Sequence, residues 1–158
     1  MVMEGAFMIT APLQRVWEAL FDVPTMTGWV PGVTAARRID DRHYEVTVEQ
    51  RVAFLTTRFD ATLELQEVQP PHLIGFTLEG KDGRIASSVK VQTTMSLREA
   101  GAGRTEIVYR NDMSVFGRLG SIGFAVIKRK AKEIEEEFAR RANAALAQMS
   151  GGGSRATV

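Results

Sequence analysis

The stretch Leu55-Thr56-Thr57-Arg58-Phe59-Asp60-Ala61-Thr62-Leu63-Glu64-Leu65-Gln66 alternates without a break. Leu55, Thr57, Phe59, Ala61, Leu63 and Leu65 fall on one face. Thr56, Arg58, Asp60, Thr62, Glu64 and Gln66 fall on the other. Side chains in a strand point to opposite faces in turn, so this period of two predicts a strand with one buried and one wet face. That is the habit of antiparallel sheets.

The same period extends in both directions. Upstream it predicts strands over Val33–Ile39 and Tyr44–Val52, joined by the turn Asp40–Asp41–Arg42. Downstream, Pro70–Pro71 cannot continue a ladder and marks a connection. Leu73–Gly80 follows, with Ile74, Phe76 and Leu78 in phase. Lys81–Asp82–Gly83 predicts a tight hairpin turn. Ile85–Leu97 alternates again with Val89, Val91, Met95 and Leu97 inward, and Thr105–Met113 follows the Gly-rich turn Ala100–Gly103. Before the strands, Phe7 and Ile9 share a face of a short first strand over Met1–Thr10. Leu13, Val16, Trp17 and Leu20 then repeat at helical spacing behind Pro12. Asp22–Val23–Pro24 ends that helix, and a second short one covers Thr25–Trp29. From Leu119 an apolar stripe through Ile122, Val126, Ile127, Ala131, Ile134, Phe138, Ala142, Ala145, Leu146 and Met149 predicts a long helix. Lys128, Lys132, Glu135, Glu136 and Arg140 are assigned to its wet face. Pairs Lys132–Glu136, Glu136–Arg140 and Glu137–Arg141 stand at i,i+4. The glycines after Ser150 end it, leaving residues 150–158 as a flexible tail behind a single domain over 1–149.

The predicted fold is α+β, in the order β-α-α-β6-α. A seven-stranded curved antiparallel sheet wraps the long C-terminal helix. A twisted sheet and a straight helix cannot touch along their whole length, so a gap between them is the expected pocket.

Composition narrows the function classes. The chain has 158 residues, 44% hydrophobic and 25% charged, with a formal net charge of +1 from 20 basic and 19 acidic residues. Balanced charge argues against a nucleic-acid partner. There is no Cys, so neither a disulfide framework nor a thiolate metal site is expected, which fits the cytoplasm. No apolar run approaches a membrane span, and the N-terminus does not read as a signal peptide. His43 and His72 read as exposed loop residues, and no metal or cofactor is expected. Nucleophile elbows, phosphate loops and dinucleotide fingerprints do not occur. Asp60 and Glu64 read with Arg58 as a solvated face, not an acid/base pair.

Polar residues at inward positions are more informative. Gln50, Thr57, Ser87, Thr93, Tyr109 and Asn111 all fall in phase with apolar neighbours. Each needs a partner, supplied by one another, by backbone or water, or by a ligand's polar head. Taken singly each reads as structural; taken as a set they include a ligand contact. The expected cavity residues are therefore Gln50, Tyr109 and Asn111 with apolar Phe59, Phe76, Val89, Val91, Met95 and Phe116. Trp29 is added at the mouth, and Leu119, Gly120, Gly123 and Ile127 from the start of the long helix. The small residues there either admit close approach to the sheet or leave cavity volume.

Local segments also carry a resemblance. Ala11–Pro12 followed by Val16-Trp17-Glu18-Ala19-Leu20, Trp29-Val30-Pro31-Gly32-Val33, Asp40-Asp41-Arg42-His43-Tyr44-Glu45, Val68-Gln69-Pro70-Pro71 and Phe116-Gly117-Arg118-Leu119-Gly120 occur in that order. Together they resemble the helix-grip fold of the START-like (Bet v 1-like, SRPBCC) superfamily, and within it the CoxG branch, named for a carbon monoxide dehydrogenase component. Trp29 before Val-Pro-Gly is closer to cyclase/dehydrase-like relatives. The resemblance implies a binding or carrier protein for a small lipophilic molecule, such as a quinone or polyketide-like compound. It also implies peripheral membrane or dehydrogenase-complex association, as an accessory factor of a CO dehydrogenase-like molybdoenzyme. The alternative it implies is a polyketide cyclase/dehydratase-like enzyme using Tyr109, with Gln50 or Asn111, to polarise a carbonyl.

Overall fold

Alternation over Leu55–Leu65 requires a strand with one dry face, and the computed structural model of the protein contains it. The structure describes residues 1–156, with side chains through 147. Strand β4 runs Leu55–Gln69; Leu55, Thr57, Phe59, Ala61 and Leu65 are buried, while the polar residues between them are exposed. It pairs antiparallel with β3 (His43–Val52) and β5 (Leu73–Asp82). β6 (Ser87–Glu99) and β7 (Thr105–Gly117) continue the meander, and β2 (Val33–Arg38) forms the far edge. β1 (Val2–Ile9) returns to pair with β7, giving one sheet of order β1-β7-β6-β5-β4-β3-β2. Register shifts between Leu65 and Glu67 and between Val33 and Ala35 are bulges, which add local bend and twist.

Helix α1 (Leu13–Leu20) buries Leu13, Val16 and Trp17. α2 spans Val23–Trp29, starting earlier than the sequence predicts. Asp22 is the reason: its Oδ2 accepts from the Thr25 N–H at 3.1 Å, and Pro24 sits in the first turn, where an N–H has no intrahelical acceptor. The long helix α3 is Phe124–Ala156. Its start also differs from the expected Leu119. Gly120–Ile122 forms a 3-10 turn and Gly123 lies at φ 110°, so the chain turns twice before the helix begins. At the other end its backbone continues to Ala156, past Ser150 where the glycines predict a stop. Each glycine costs about 1 kcal/mol in a helix, but extending an existing helix adds a hydrogen bond per residue. Side chains from residue 148 onward, Met149 among them, and residues 157–158 of the expected tail lie outside the described residues.

The tight turn expected at Lys81–Asp82–Gly83 is replaced by a longer connection. β5 continues through Asp82, a 3-10 turn covers Gly83–Ile85, and Ala86 takes a left-handed conformation at φ 46°. The Asp82 side chain is 2% exposed and accepts from the Arg58 N–H at 2.7 Å and the Arg84 N–H at 3.1 Å. It is thus a buried brace between β4 and this turn, and β6 begins at Ser87, not Ile85.

Two separate apolar clusters hold α3 to the sheet. One gathers Ile9, Val16, Trp17, Trp29, Leu65, Ile74, Leu97 and Ile107 around Phe138, Ala142 and Leu146 of α3. The other joins Val52, Leu55, Phe59 and Leu119, with Val89, Val115, Ile122 and Val126 packed on it. Among the described residues no helix is long and apolar enough to cross a membrane.

Candidate functional site

Strands β3, β4, β6 and β7 each contribute to both clusters, and what lies between the clusters defines the site. On β6 the inward residues run from Leu97 in the first cluster, through Met95, Thr93 and Val91, to Val89 beside the second. On β7 they run from Ile107 through Tyr109 and Asn111 to Val115. The middle members of these rows line a cavity of about 1000 Å³ between sheet and α3. Tyr44, Val46 and Val48 of β3, Leu63 of β4, and Phe76 and Leu78 of β5 continue its floor. Met26 and Thr27 of α2, with Val30 just after it, wall one side; Phe124, Ala131, Ile134 and Phe138 of α3 form the roof. Most of this lining is apolar, and the volume suits a small organic molecule.

Of the residues expected from sequence, Phe76, Val91, Met95, Tyr109 and Asn111 line this cavity. The others are placed elsewhere. Trp29 is buried in the first cluster, edge-on to Phe138 with centroids 6.0 Å apart, and is not a mouth residue. Gln50 is in phase but spent on structure: its Nε2 donates to the Pro31 carbonyl at 2.6 Å. Phe59, Val89 and Leu119 belong to the second cluster, which fills the space where the pocket was expected. Ile127 is buried outside the lining. Gly120 abuts the Val115 carbonyl, where a Cβ would come within 2.7 Å, and Gly123 stands in open space. Phe116 is 61% exposed. It is one residue out of phase with inward Ile107, Tyr109 and Asn111, a fact the alternation already carried.

The inward polar set divides in two. Thr57 donates to the Gln50 carbonyl at 2.8 Å, and Ser87 Oγ donates to the Ile85 carbonyl at 3.0 Å while accepting from the Leu119 N–H at 3.0 Å. Those hydroxyls, like Gln50, tie down backbone at the second cluster. Thr93, Asn111 and Tyr109 face the cavity. Thr93 Oγ1 donates to Asn111 Oδ1 at 2.8 Å across β6 and β7, which occupies the amide oxygen.

Sequence reasoning missed Glu135, which it assigned to the wet face of the helix. Its side chain is 8% exposed and lines the cavity. Oε2 is 2.5 Å from Lys132 Nζ, and Oε1 is buried with no hydrogen-bond partner among the described residues. The signal was present: Glu135 is four residues after Ala131 and three before Phe138, both on the apolar stripe. Lys132 thus pairs at i,i+3 and not with Glu136; the expected Glu137–Arg141 pair forms at 3.0 Å. The Tyr109 hydroxyl and Glu135 Oε1 converge above Gly5, where a Cβ would overlap both. Gly5 pairs with Tyr109 in the β1–β7 register, so its missing side chain opens this notch. Burial first, and the Glu135 carboxylate second, push the Tyr109 hydroxyl pKa above its ordinary value. Tyr109 therefore stays protonated at neutral pH and serves as a hydrogen-bond donor.

The histidines stand apart from the cavity. His43 begins β3 and is held between Asp40 (2.8 Å) and Glu64 (3.1 Å), Asp40 foremost in raising its pKa. His72 is exposed, with Nδ1 3.1 Å from the Leu97 carbonyl.

Solved structures share this architecture. A conserved protein from Geobacillus kaustophilus is similar at a TM-score of 0.87 and 19% identity, over 94% of this chain and 96% of that one. A START superfamily protein from Mycobacterium smegmatis is similar at 0.73 and 15%, over 94% and 98%. The Zhui aromatase/cyclase from Streptomyces sp. R1128 is similar at 0.66 and 14%, over 91% and 92%. No curated relative matches the sequence. The fold is the START-like helix-grip fold. The family model for the carbon monoxide dehydrogenase G-subunit (CoxG) matches residues 5–147, nearly all of the sheet and of the side chains described on α3, and the chain belongs to that family.

Proposed function

We propose that this protein is a non-enzymatic carrier that binds a small lipophilic molecule in the cavity between sheet and α3. It would act in the cytoplasm as an accessory factor of a CO dehydrogenase-like molybdoenzyme. The observation that carries the reading is the cavity itself: about 1000 Å³ of mostly apolar space held between two packed clusters. Removing about 400 Å² of apolar ligand surface from water yields about 10 kcal/mol. Lost freedom on association takes back about 4 kcal/mol or more. A balance of about 6 kcal/mol is a Kd of tens of micromolar, suited to a molecule that must be picked up and released. Native mass spectrometry of the purified protein tests this, with an extra mass of a few hundred daltons expected from a retained guest. Failure both to retain one and to bind an added apolar probe would refute it. Co-purification of dehydrogenase components tests the accessory role.

The protonated Tyr109 hydroxyl in a mostly apolar cavity favours a second reading. There the protein is a cyclase/dehydratase-like enzyme, and Tyr109 polarises a substrate carbonyl. Turnover of a polyketide-like substrate that is lost in Tyr109→Phe would select that reading over the carrier.

A further inference from the structure

Apart from the Thr93–Asn111 pair and the exposed charged residues at its surface end, the polar part of the cavity lining is where Tyr109 and Glu135 meet above Gly5. We propose that this notch recognises a hydroxyl group on the lipophilic guest, an alcohol or phenol, with Tyr109 donating to the hydroxyl oxygen and Glu135 Oε1 accepting its proton. The inference rests on the carrier reading and adds the chemical class of the guest's polar end.

Three observations converge on it. Glu135 Oε1 is a buried carboxylate oxygen lacking a partner among the described residues, on a side chain 8% exposed, and it faces a cavity. A native structure leaves few such atoms unsatisfied, and a missing ligand is one explanation. Next, the Tyr109 hydroxyl is near enough to Glu135 for the carboxylate to raise its pKa as an acceptor does, yet no hydrogen bond of normal geometry closes at Oε1. Donor and acceptor are therefore both available at one place. Finally, residue 5 is a position on β1 where a side chain would occupy the notch, and it is glycine.

Only some polar groups satisfy this pair. A hydroxyl both accepts and donates, so it satisfies Tyr109 and Glu135 together. An ether or ketone accepts from Tyr109 but leaves Oε1 unpaired. A carboxylate or phosphate would place like charge against Glu135. An ammonium has no lone pair for Tyr109, and Lys132 already supplies the cation at Oε2, 2.5 Å away. The exposed Lys128 and Arg129, which also line the cavity, would draw anions only to the surface end.

Three probes sharing one apolar body test the selectivity at pH 7: 2-naphthol, 2-methoxynaphthalene and 2-naphthoate, titrated by fluorescence against the full chain. Wild type is expected to bind 2-naphthol about tenfold or more tighter than 2-methoxynaphthalene, since the extra hydrogen bond goes to a charged acceptor. 2-Naphthoate is expected to bind most weakly. Glu135→Met removes the acceptor at similar volume and should abolish the preference. Gly5→Ala keeps both polar groups but fills the notch, and should erase the same preference. The atoms nearest its Cβ are the far ends of the Tyr109 and Glu135 side chains and not backbone, so it displaces those two groups. Equal binding of 2-naphthol and 2-methoxynaphthalene to wild type overturns the inference and leaves the carrier reading intact. So does a preference that survives Glu135→Met, or, should that variant not fold, one that survives Gly5→Ala. Binding of no probe by folded wild type overturns both.

Discussion

Replacing Ala131 by Trp separates cavity from core. Ala131 is partly buried on α3 and lines the cavity. An indole there adds roughly 150 Å² of apolar surface that can lie against walls with no atoms opposite them. Burying it yields up to about 4 kcal/mol. Lower helix propensity and a fixed rotamer take back about 1.5 kcal/mol. Stability should therefore hold or rise, by up to about 2 kcal/mol. Leu119→Trp is the control. Leu119 is buried with Val52, Leu55 and Phe59 in the second cluster, and overpacking such a site costs about 1–3 kcal/mol. The two variants should move in opposite directions in urea titrations with unchanged m-values. Guest binding should also diverge. If the indole displaces about 100 Å² of guest contact, about 2.5 kcal/mol is lost, a fall in 2-methoxynaphthalene affinity of roughly seventyfold. Leu119→Trp should leave that affinity within about threefold where the protein is folded. The reasoning is refuted if Ala131→Trp destabilises by more than about 2 kcal/mol with probe affinity intact. It is equally refuted if Leu119→Trp blocks binding at no cost in stability.

Two further outcomes follow from the backbone and from the one deeply buried aspartate. Gly32 lies at φ 88° with the Glu49 carbonyl where a Cβ would stand, so Gly32→Ala should cost about 2 kcal/mol or more. Gly28→Ala, inside α2 with open space around it, should instead stabilise by up to about 1 kcal/mol; thermal melts of both check the contrast. The Arg84 guanidinium, with the Arg58 and Arg84 N–H groups, holds the Asp82 carboxyl pKa below its ordinary 3.8, against burial. A depressed folded-state value stabilises above the unfolded pKa, and that contribution disappears as pH falls through the folded one. Asp82→Asn should thus be most destabilising near pH 7, and its deficit in urea titrations should shrink below about pH 4; a deficit that grows in acid would contradict the assignment.

Much of this architecture was legible because it rests on periods. Alternation over Leu55–Leu65 and the stripe from Ile127 to Leu146 are properties of single elements, and each survives in the structure. Boundaries were less legible where a side chain reaches outside its element. Asp82 reads as a turn residue until Arg58, on another strand, is seen to donate to it. Asp22 reads as a terminator of α1 until Thr25 turns back onto it. The site was half legible for a related reason. Phase tells which face a residue takes, and it placed Tyr109, Asn111, Met95, Val91 and Phe76 correctly on the inner one. Position along the strand decides whether an inward residue meets empty space or another side chain, and phase is silent on that. Gln50, Phe59 and Val89 have the right face and the wrong height. Glu135 failed differently: charge was taken as a sign of solvent, although a helix residue beside the apolar stripe can be drawn in when a partner such as Lys132 sits at the surface.

A cavity of this size needs a reason not to collapse, because close packing is the default of protein interiors. The two clusters supply it. To close on the cavity floor, α3 would have to draw Phe138 from between Phe7 and Trp29, whose rings meet it edge-on at 5.8 and 6.0 Å. Its first turn, with the 3-10 turn before it, would have to lift Leu119, Ile122 and Val126 from the cluster of Phe59 and Val89. Each large apolar side chain so exposed costs about 1.5–3 kcal/mol, and the sheet's bulged strands resist flattening toward the helix. The helix is thus a beam supported at both ends over a curved floor, and its unsupported middle carries Ala131, Ile134 and Glu135. Residues at the supports must keep shape and volume for the chain to fold. Residues of the middle are released from that demand, which is the condition under which a buried carboxylate oxygen can be left open for a guest.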